Sequence, residues 1–327
     1  MKKALQYLIF ILIGAFFIYM AFKEVKPDEL WEKIKHANFM WIGLAILAGM
    51  ISNYSRAARW LIIAEPLGYK PRLSTSFHGV MVSYLVNFAI PRGGEITRAA
   101  MVSKAEKMPL ATVIGSVVAE RVTDLICMGL VILLAMGLQY DIIMEFFSSS
   151  SGNQEAGTDA GFPWMKVILA VGFVGGMAFL FIRKRLNHIN LFKKINHLAD
   201  SFIEGVKGLA RIKKPIAFTI HSIIIWVMYY LMVFFCFYCI PETSHLGAAA
   251  GLTVLVTSTL AVVLPSPGGI GTFHYFVPIA LTLYGIDPAD GLSYATIAHA
   301  SQMLMFIFFC TISLISMIIS QRKDLAG

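Results

Sequence analysis

Glu120, Arg121 and Asp124 lie within one long apolar run, where ionisable side chains are costly and tend to face a bundle interior or a cavity. Glu120 and Asp124 are four residues apart and so share a helix face, while Arg121 stands three residues before Asp124, within pairing reach. Glu120 falls about nine residues into the run, roughly 13 Å along a helix and so near mid-membrane. Two chemistries fit this trio. Arg121 can be held by one carboxylate while it, or the other carboxylate, meets a lipid headgroup or a proton. The trio can also be an internal ionic clamp that only fastens helices. Two like charges beside one arginine are an awkward device for packing alone, which favours the first reading.

A second set of polar groups sits in the string Asn87-Phe88-Ala89-Ile90-Pro91-Arg92-Gly93-Gly94-Glu95, followed by Arg98. Pro91 removes a backbone donor, and Gly93 and Gly94 permit conformations that other residues disfavour, so a helix is expected to break here. A helix resuming near Glu95 presents free N–H groups toward the break, a seat suited to phosphate. Arg92 beside it adds a fork of donors matched to phosphate oxygens. Arg98 either joins that contact or pairs with Glu95 at i,i+3, and Asn87 supplies a further polar group.

The third string is Pro265-Ser266-Pro267-Gly268-Gly269-Ile270-Gly271, with Thr272 and His274 after it and Ser258 and Thr259 before it, both able to turn inward. His274 can donate to phosphate, titrate near neutral pH, or simply pack. Arg56 and Arg59, near the inner end of their span, are expected to snorkel to headgroups or to mark the mouth of a lipid path. His221 and His299 are isolated. No zinc-ligand pair, dinucleotide fingerprint or phosphate-binding loop occurs, so neither a metal nor a cofactor is expected.

The elements that must position these groups are membrane helices. Of 327 residues, 57% are hydrophobic and 14% charged, and the mean hydropathy is +0.72. The first apolar run, 4–22, lacks a small-residue cleavage site and reads as a retained span. The formal charge of +8 does not indicate nucleic-acid binding. Much of it lies in Arg183, Lys184, Arg185, Lys193, Lys194, Lys207, Arg211, Lys213 and Lys214, which suit anionic lipid headgroups. Cys127, Cys236, Cys239 and Cys310 all fall in apolar runs and read as packing residues.

About six full spans are expected, at 4–22, 40–63, 111–137, 163–182, 216–240 and 295–320, each long enough for a core of roughly 30 Å. The acidic loop after 137 is placed outside, and the basic loop 183–214 and both termini inside. Regions 77–108 and 247–286 must then enter and leave on the same side, from opposite faces. The expectation is an all-α polytopic membrane protein, an inverted repeat with two re-entrant broken helical hairpins. Its first repeat is 1–137 with the broken hairpin 77–108, its external loop 138–162, and its second repeat 163–327 with a cytoplasmic amphipathic segment 186–214 and the broken hairpin 247–286. Pro91, Gly93, Gly94, Pro265, Pro267, Gly268, Gly269 and Gly271 make the breaks. Gly247-x-x-x-Gly251 permits a homo-oligomer contact as well as packing within the chain.

These strings together resemble the lysylphosphatidylglycerol synthase transmembrane, or flippase-like, family: Asn87 through Glu95 with Arg98, then Glu120-Arg121 with Asp124, then Pro265 through Gly271. The likeness covers nearly the whole chain. Larger members carry a cytosolic aminoacyltransferase domain, for which a chain ending at Gly327 has no room. The resemblance therefore implies the membrane part alone, moving an aminoacylated, isoprenoid-linked or otherwise anionic phospholipid between leaflets of a bacterial cytoplasmic membrane. Family patterns commonly place an acidic residue shortly after the last double-glycine string, and His274 stands at the comparable position here. Acid–base work by Glu120 and Asp124 on a headgroup, or a non-transporting scaffold, are the competing readings.

Overall fold

The structure, a computed structural model, describes residues 2–23, 27–90, 93–139, 208–264 and 266–326. Pro91, Arg92, Pro265, nearly all of the expected external loop, the span 163–182 and most of the amphipathic segment 186–214 lie outside the described residues.

The described residues form helices: α1 (Lys2–Phe22), α2 (Pro27–Lys35), α3 (Phe39–Ala64), α4 (Leu73–Ala89), α5 (Gly94–Ala105), α6 (Leu110–Leu138), α7 (Pro215–Cys236), α8 (Ala248–Val263), α9 (Thr272–Thr282) and α10 (Pro288–Ala326). Among the described residues, three stretches are long and apolar enough to cross a membrane, at Leu110–Leu138, Pro215–Cys239 and Pro288–Ser316. Only 17% of the apolar window of α6 is buried, and Leu125, Leu130, Leu133 and Leu134 are exposed on it. Apolar side chains turned outward along such a helix need lipid as their solvent, and the fold is that of a polytopic membrane protein.

Helix starts follow from local chemistry. Asn38 caps α3 by accepting from the Met40 amide at 3.1 Å. Asp287 does the same for α10, accepting from Ala289 N at 2.9 Å, with Pro288 in the first helical position. That cap starts α10 at Pro288 rather than near 295, and Asp290 falls in its first turn. The mixed-charge stretch before Asn38 contains the short helix α2, which buries Leu30. Its Lys33 is hydrogen-bonded to Asp290 and lies 3.8 Å from Glu242.

α3 lies against α7, α4 and α10, and α6 touches α5, α8 and α3. The largest core cluster joins Val233, Val254, Phe273, Leu281 and Tyr294 across α7 to α10. Tyr294, fully buried, donates to the Val233 carbonyl at 2.7 Å, so its polar end is satisfied within that core.

The helices of two successive pairs, α4–α5 and α8–α9, pack against each other across short connections. At the first interruption Ile90 is extended, with φ −129° and ψ 98°. Gly93 keeps right-handed backbone, φ −77° and ψ −22°, which corrects the expectation that this double glycine serves an unusual conformation. Space is the reason instead: a Cβ on Gly94 would stand 2.0 Å from the Ser83 carbonyl oxygen. At the second interruption the left-handed backbone is real, with φ of 59° at Gly268, 80° at Gly269 and 86° at Gly271.

Candidate functional site

Arginines on α3 and α5 converge on the carboxylates of α6. Residues 56 and 59 share a face of α3, as 120 and 124 share a face of α6, and the two faces meet. Arg56 Nη1 lies 2.8 Å from Glu120 Oε1 and 2.7 Å from Asp124 Oδ2. Arg59 Nη2 donates to Asp124 Oδ1 at 2.6 Å and its Nη1 to Ser222 Oγ at 3.2 Å. Arg98 comes from α5, its Nη1 donating to Glu120 Oε1 at 3.2 Å and its Nη2 lying 3.0 Å from Oε2. Its guanidinium also sits 5.6 Å over the Trp60 ring.

Glu120, Arg56, Arg59 and Arg98 are all buried. The snorkelling expected of Arg56 and Arg59 is thereby overturned, since each is drawn inward to a carboxylate on α6. The alternative pairing of Arg98 with Glu95 is also overturned. Arg98 takes Glu120, and Glu95 faces Arg121 at 3.6 Å.

Arg121 differs from the other guanidiniums. Its side chain is 38% exposed, and its two carboxylate contacts are long, 3.6 Å to Glu95 and 3.5 Å to Asp124. The cluster thus has a buried, closely paired interior, made by Glu120 with Arg56 and Arg98, and a loosely paired end at Arg121, where an anion can compete for the guanidinium.

Asn87 is committed to structure, its Oδ1 accepting from Gly94 N at 2.8 Å and so capping α5 from α4. Thr97 Oγ1 donates to the Gly93 carbonyl at 3.0 Å. Near the second break, Ser258 and Thr259 turn their hydroxyls back to the Leu255 carbonyl, at 3.0 and 2.7 Å, rather than into a shared cavity. Thr272 is buried and bonded to Ser266 Oγ and the Gly269 carbonyl. His274 keeps an unpartnered, buried Nδ1 and meets His299 edge to face at 5.0 Å. His299, isolated in sequence, donates from Nε2 to the Gly268 carbonyl at 3.0 Å.

Tyr229 and Tyr84 had no sequence signal. Tyr229 accepts from Arg56 Nη2 at 2.9 Å, and its hydroxyl is 3.4 Å from that of Tyr84. The spacing that could have exposed Arg56 and Arg59 is present: two arginines three apart in one apolar helix answer two carboxylates four apart in another.

The chain is similar to two UPF0104 membrane proteins of Methanocaldococcus jannaschii. One is 29% identical over 119 residues, 36% of this chain and 35% of that protein, the other 24% identical over 206 residues, 62% and 81% respectively. It is also similar to the glycosyltransferase AglD of Haloferax volcanii, 25% identical over 304 residues, which is 84% of this chain but 49% of that enzyme. The chain therefore spans about a third of the first of these relatives and about half of AglD. No solved structure matches. The profile of the lysylphosphatidylglycerol synthase TM region matches residues 7–310, and with the three motifs and the helical membrane fold in place, the chain belongs to that family.

Proposed function

We propose that the protein moves a phosphate-bearing lipid between leaflets, with Arg121 as the headgroup contact and Glu95 and Asp124 as the counter-charges that the headgroup displaces. The observation that carries this reading is the contrast in one cluster between three arginines closely paired in a dry interior and a fourth left half-exposed on long contacts. A clamp made only for packing has no use for the fourth. Arg92 and the backbone donors at the first break extend the anion-binding surface in this reading, and the open nitrogen of His274 does so at the second. Asn87, Arg98, Glu120, Ser258, Thr259 and Thr272 then support the site rather than touch the lipid.

The transport architecture proposed is an inverted repeat, 1–137 and 163–327, with re-entrant hairpins at 77–108 and 247–286. Helix lengths support it. At 1.5 Å per residue α4 and α8 are only about 25 Å long and α5 and α9 about 16–18 Å, all short of a core of roughly 30 Å. Multi-pass placement in a cytoplasmic membrane with both termini inside, and an anionic phospholipid or isoprenoid-linked cargo, complete the reading. The kinship with a glycosyltransferase, of which the chain covers half, favours a second possibility: service to an enzyme that modifies lipid headgroups, or such modification itself.

Purified protein in vesicles carrying NBD-labelled phosphatidylglycerol tests the first reading. Inner-leaflet probe should pass to the outer leaflet and be reduced by external dithionite faster than in protein-free vesicles, with the lipid otherwise unchanged, and Arg121→Gln should abolish the acceleration. Conversion of the lipid to a new species by mass spectrometry would transfer the assignment to the second.

A further inference from the structure

The two broken segments meet. Phe88, in the last turn of α4, lies so close to Gly268 that a Cβ there would stand 2.2 Å from the ring Cδ1 and 2.7 Å from Cε1. Glycine at 268 is therefore required twice, by its φ of 59° and by an aromatic ring from the other break lying flush on its backbone. The same residue is held from another side, since the carbonyl of Gly268 accepts from His299 Nε2 at 3.0 Å. His299 is itself stacked on Phe273 at 5.0 Å and 21°.

A line of contacts runs from this point to the ionic cluster. Phe88 touches Phe306 at 6.0 Å, and Phe306 stacks on Tyr84 at 4.3 Å and 21°. The Tyr84 hydroxyl lies 3.4 Å from that of Tyr229, which accepts from Arg56. Phe306 and His299 are seven residues apart on α10, two turns along one face, so one rigid helix bears on both the ring and the carbonyl.

We propose that the Phe88–Gly268 contact is an occluding latch that makes the two breaks open and close as one part, with His299 as the residue that positions the second break. This rests on the transport reading above and adds to it the moving element: separation of the ring from the glycine backbone gives the headgroup its passage. Packed interfaces of this kind switch between discrete arrangements rather than deform continuously, so a change at one break is transmitted to the other.

Hydrogen–deuterium exchange on the full chain in nanodiscs measures the coupling of the two breaks. Phe88→Ala and His299→Ala are each expected to speed exchange by about three-fold or more in peptides covering both 84–96 and 262–274. Acceleration confined to the peptide on the substituted side, in either variant, overturns the latch. Where Phe88→Ala does not fold, Phe88→Leu, which keeps apolar volume but loses the flat ring, carries the same expectation.

A second arm uses the NBD-phosphatidylglycerol vesicles. Gly268→Ala should slow translocation about ten-fold in the native background and less than about three-fold when combined with Phe88→Ala, because the clash is gone and only the backbone strain remains. Equal slowing in both backgrounds overturns the proposal. Arg121→Gln separates the two readings: it should stop translocation while leaving the linked exchange of the two breaks intact. Linked exchange without any translocation by the native protein would sink the transport reading and keep the latch.

Discussion

Arg98 Nη2 lies 3.0 Å from Glu120 Oε2, and both side chains are essentially shut off from solvent. Glu120 also receives Arg56 at 2.8 Å, so one carboxylate is shared by two buried guanidiniums. Removing one partner of a buried ion pair leaves an uncompensated charge, which is far more damaging than the net worth of the pair. Glu120→Ala is therefore expected to cost about 3–5 kcal/mol, read as a lowered thermal midpoint by thiol-reactive dye in detergent. A cost below about 1 kcal/mol, the range of exposed pairs, would contradict the described interior.

Arg121→Gln should behave in the opposite way. Its contacts at 3.5 and 3.6 Å are long and its side chain is 38% exposed, so the stability change is expected to stay within about 1 kcal/mol. Lipids copurifying with the protein, compared by native mass spectrometry between Arg121→Gln, Arg92→Ala and the native chain, should lose one anionic class in the variants. Unchanged lipid together with unchanged translocation would leave Arg121 as a packing residue.

Glycines separate by what surrounds them. A Cβ on Gly94 would meet the Ser83 carbonyl at 2.0 Å, whereas nothing lies within 4 Å of a Cβ on Gly115. Gly94→Ala should destabilise by about 1–3 kcal/mol through forced separation of α4 and α5. Gly115→Ala, in the interior of α6, should be neutral or stabilise by about 0.5–1 kcal/mol because alanine loses less backbone freedom. The paired melts check both, and a similar response at the two sites would refute the close approach at Gly94.

Lys33 ties α2 to the start of α10. Burial opposes its charge, but the hydrogen bond to Asp290 and the charges of Asp290, Glu242 and Asp287 outweigh that, and its ammonium is held above the usual lysine value. A raised folded-state value means the tether contributes fully below the unfolded lysine value near about 10.4 and is lost as pH rises through the folded one. Thermal midpoints should therefore fall more steeply on the alkaline side for the native chain than for Lys33→Met. Parallel alkaline profiles would show that the tether adds no stability.

Much of the helical frame was legible in sequence because hydropathy is a one-dimensional property. The apolar run expected at 111–137 is α6 at Leu110–Leu138, and the one at 40–63 is α3 at Phe39–Ala64. Capping shifted the start of α10, since Asp287 and Pro288 act through the local backbone, which a hydropathy run does not register. The short helix α2 was missed for a related reason: with nine residues and mixed charge, it gains its order from Leu30 and Lys33 meeting other parts of the chain.

By itself the sequence determined a helical membrane chain, two interruptions marked by proline and glycine, and a carboxylate pair with Arg121 in mid-run. Only the tertiary structure decided which arginines those carboxylates hold. Arg56 and Arg98 are 64 and 22 residues from Glu120 along the chain, and pairing over such separations depends on which helix faces are brought together. The same holds for Phe88 on Gly268 and for His299 on the Gly268 carbonyl. A residue's type states which contacts it can make, but in a dry interior its partner is whichever complementary group the packing of helices delivers within reach.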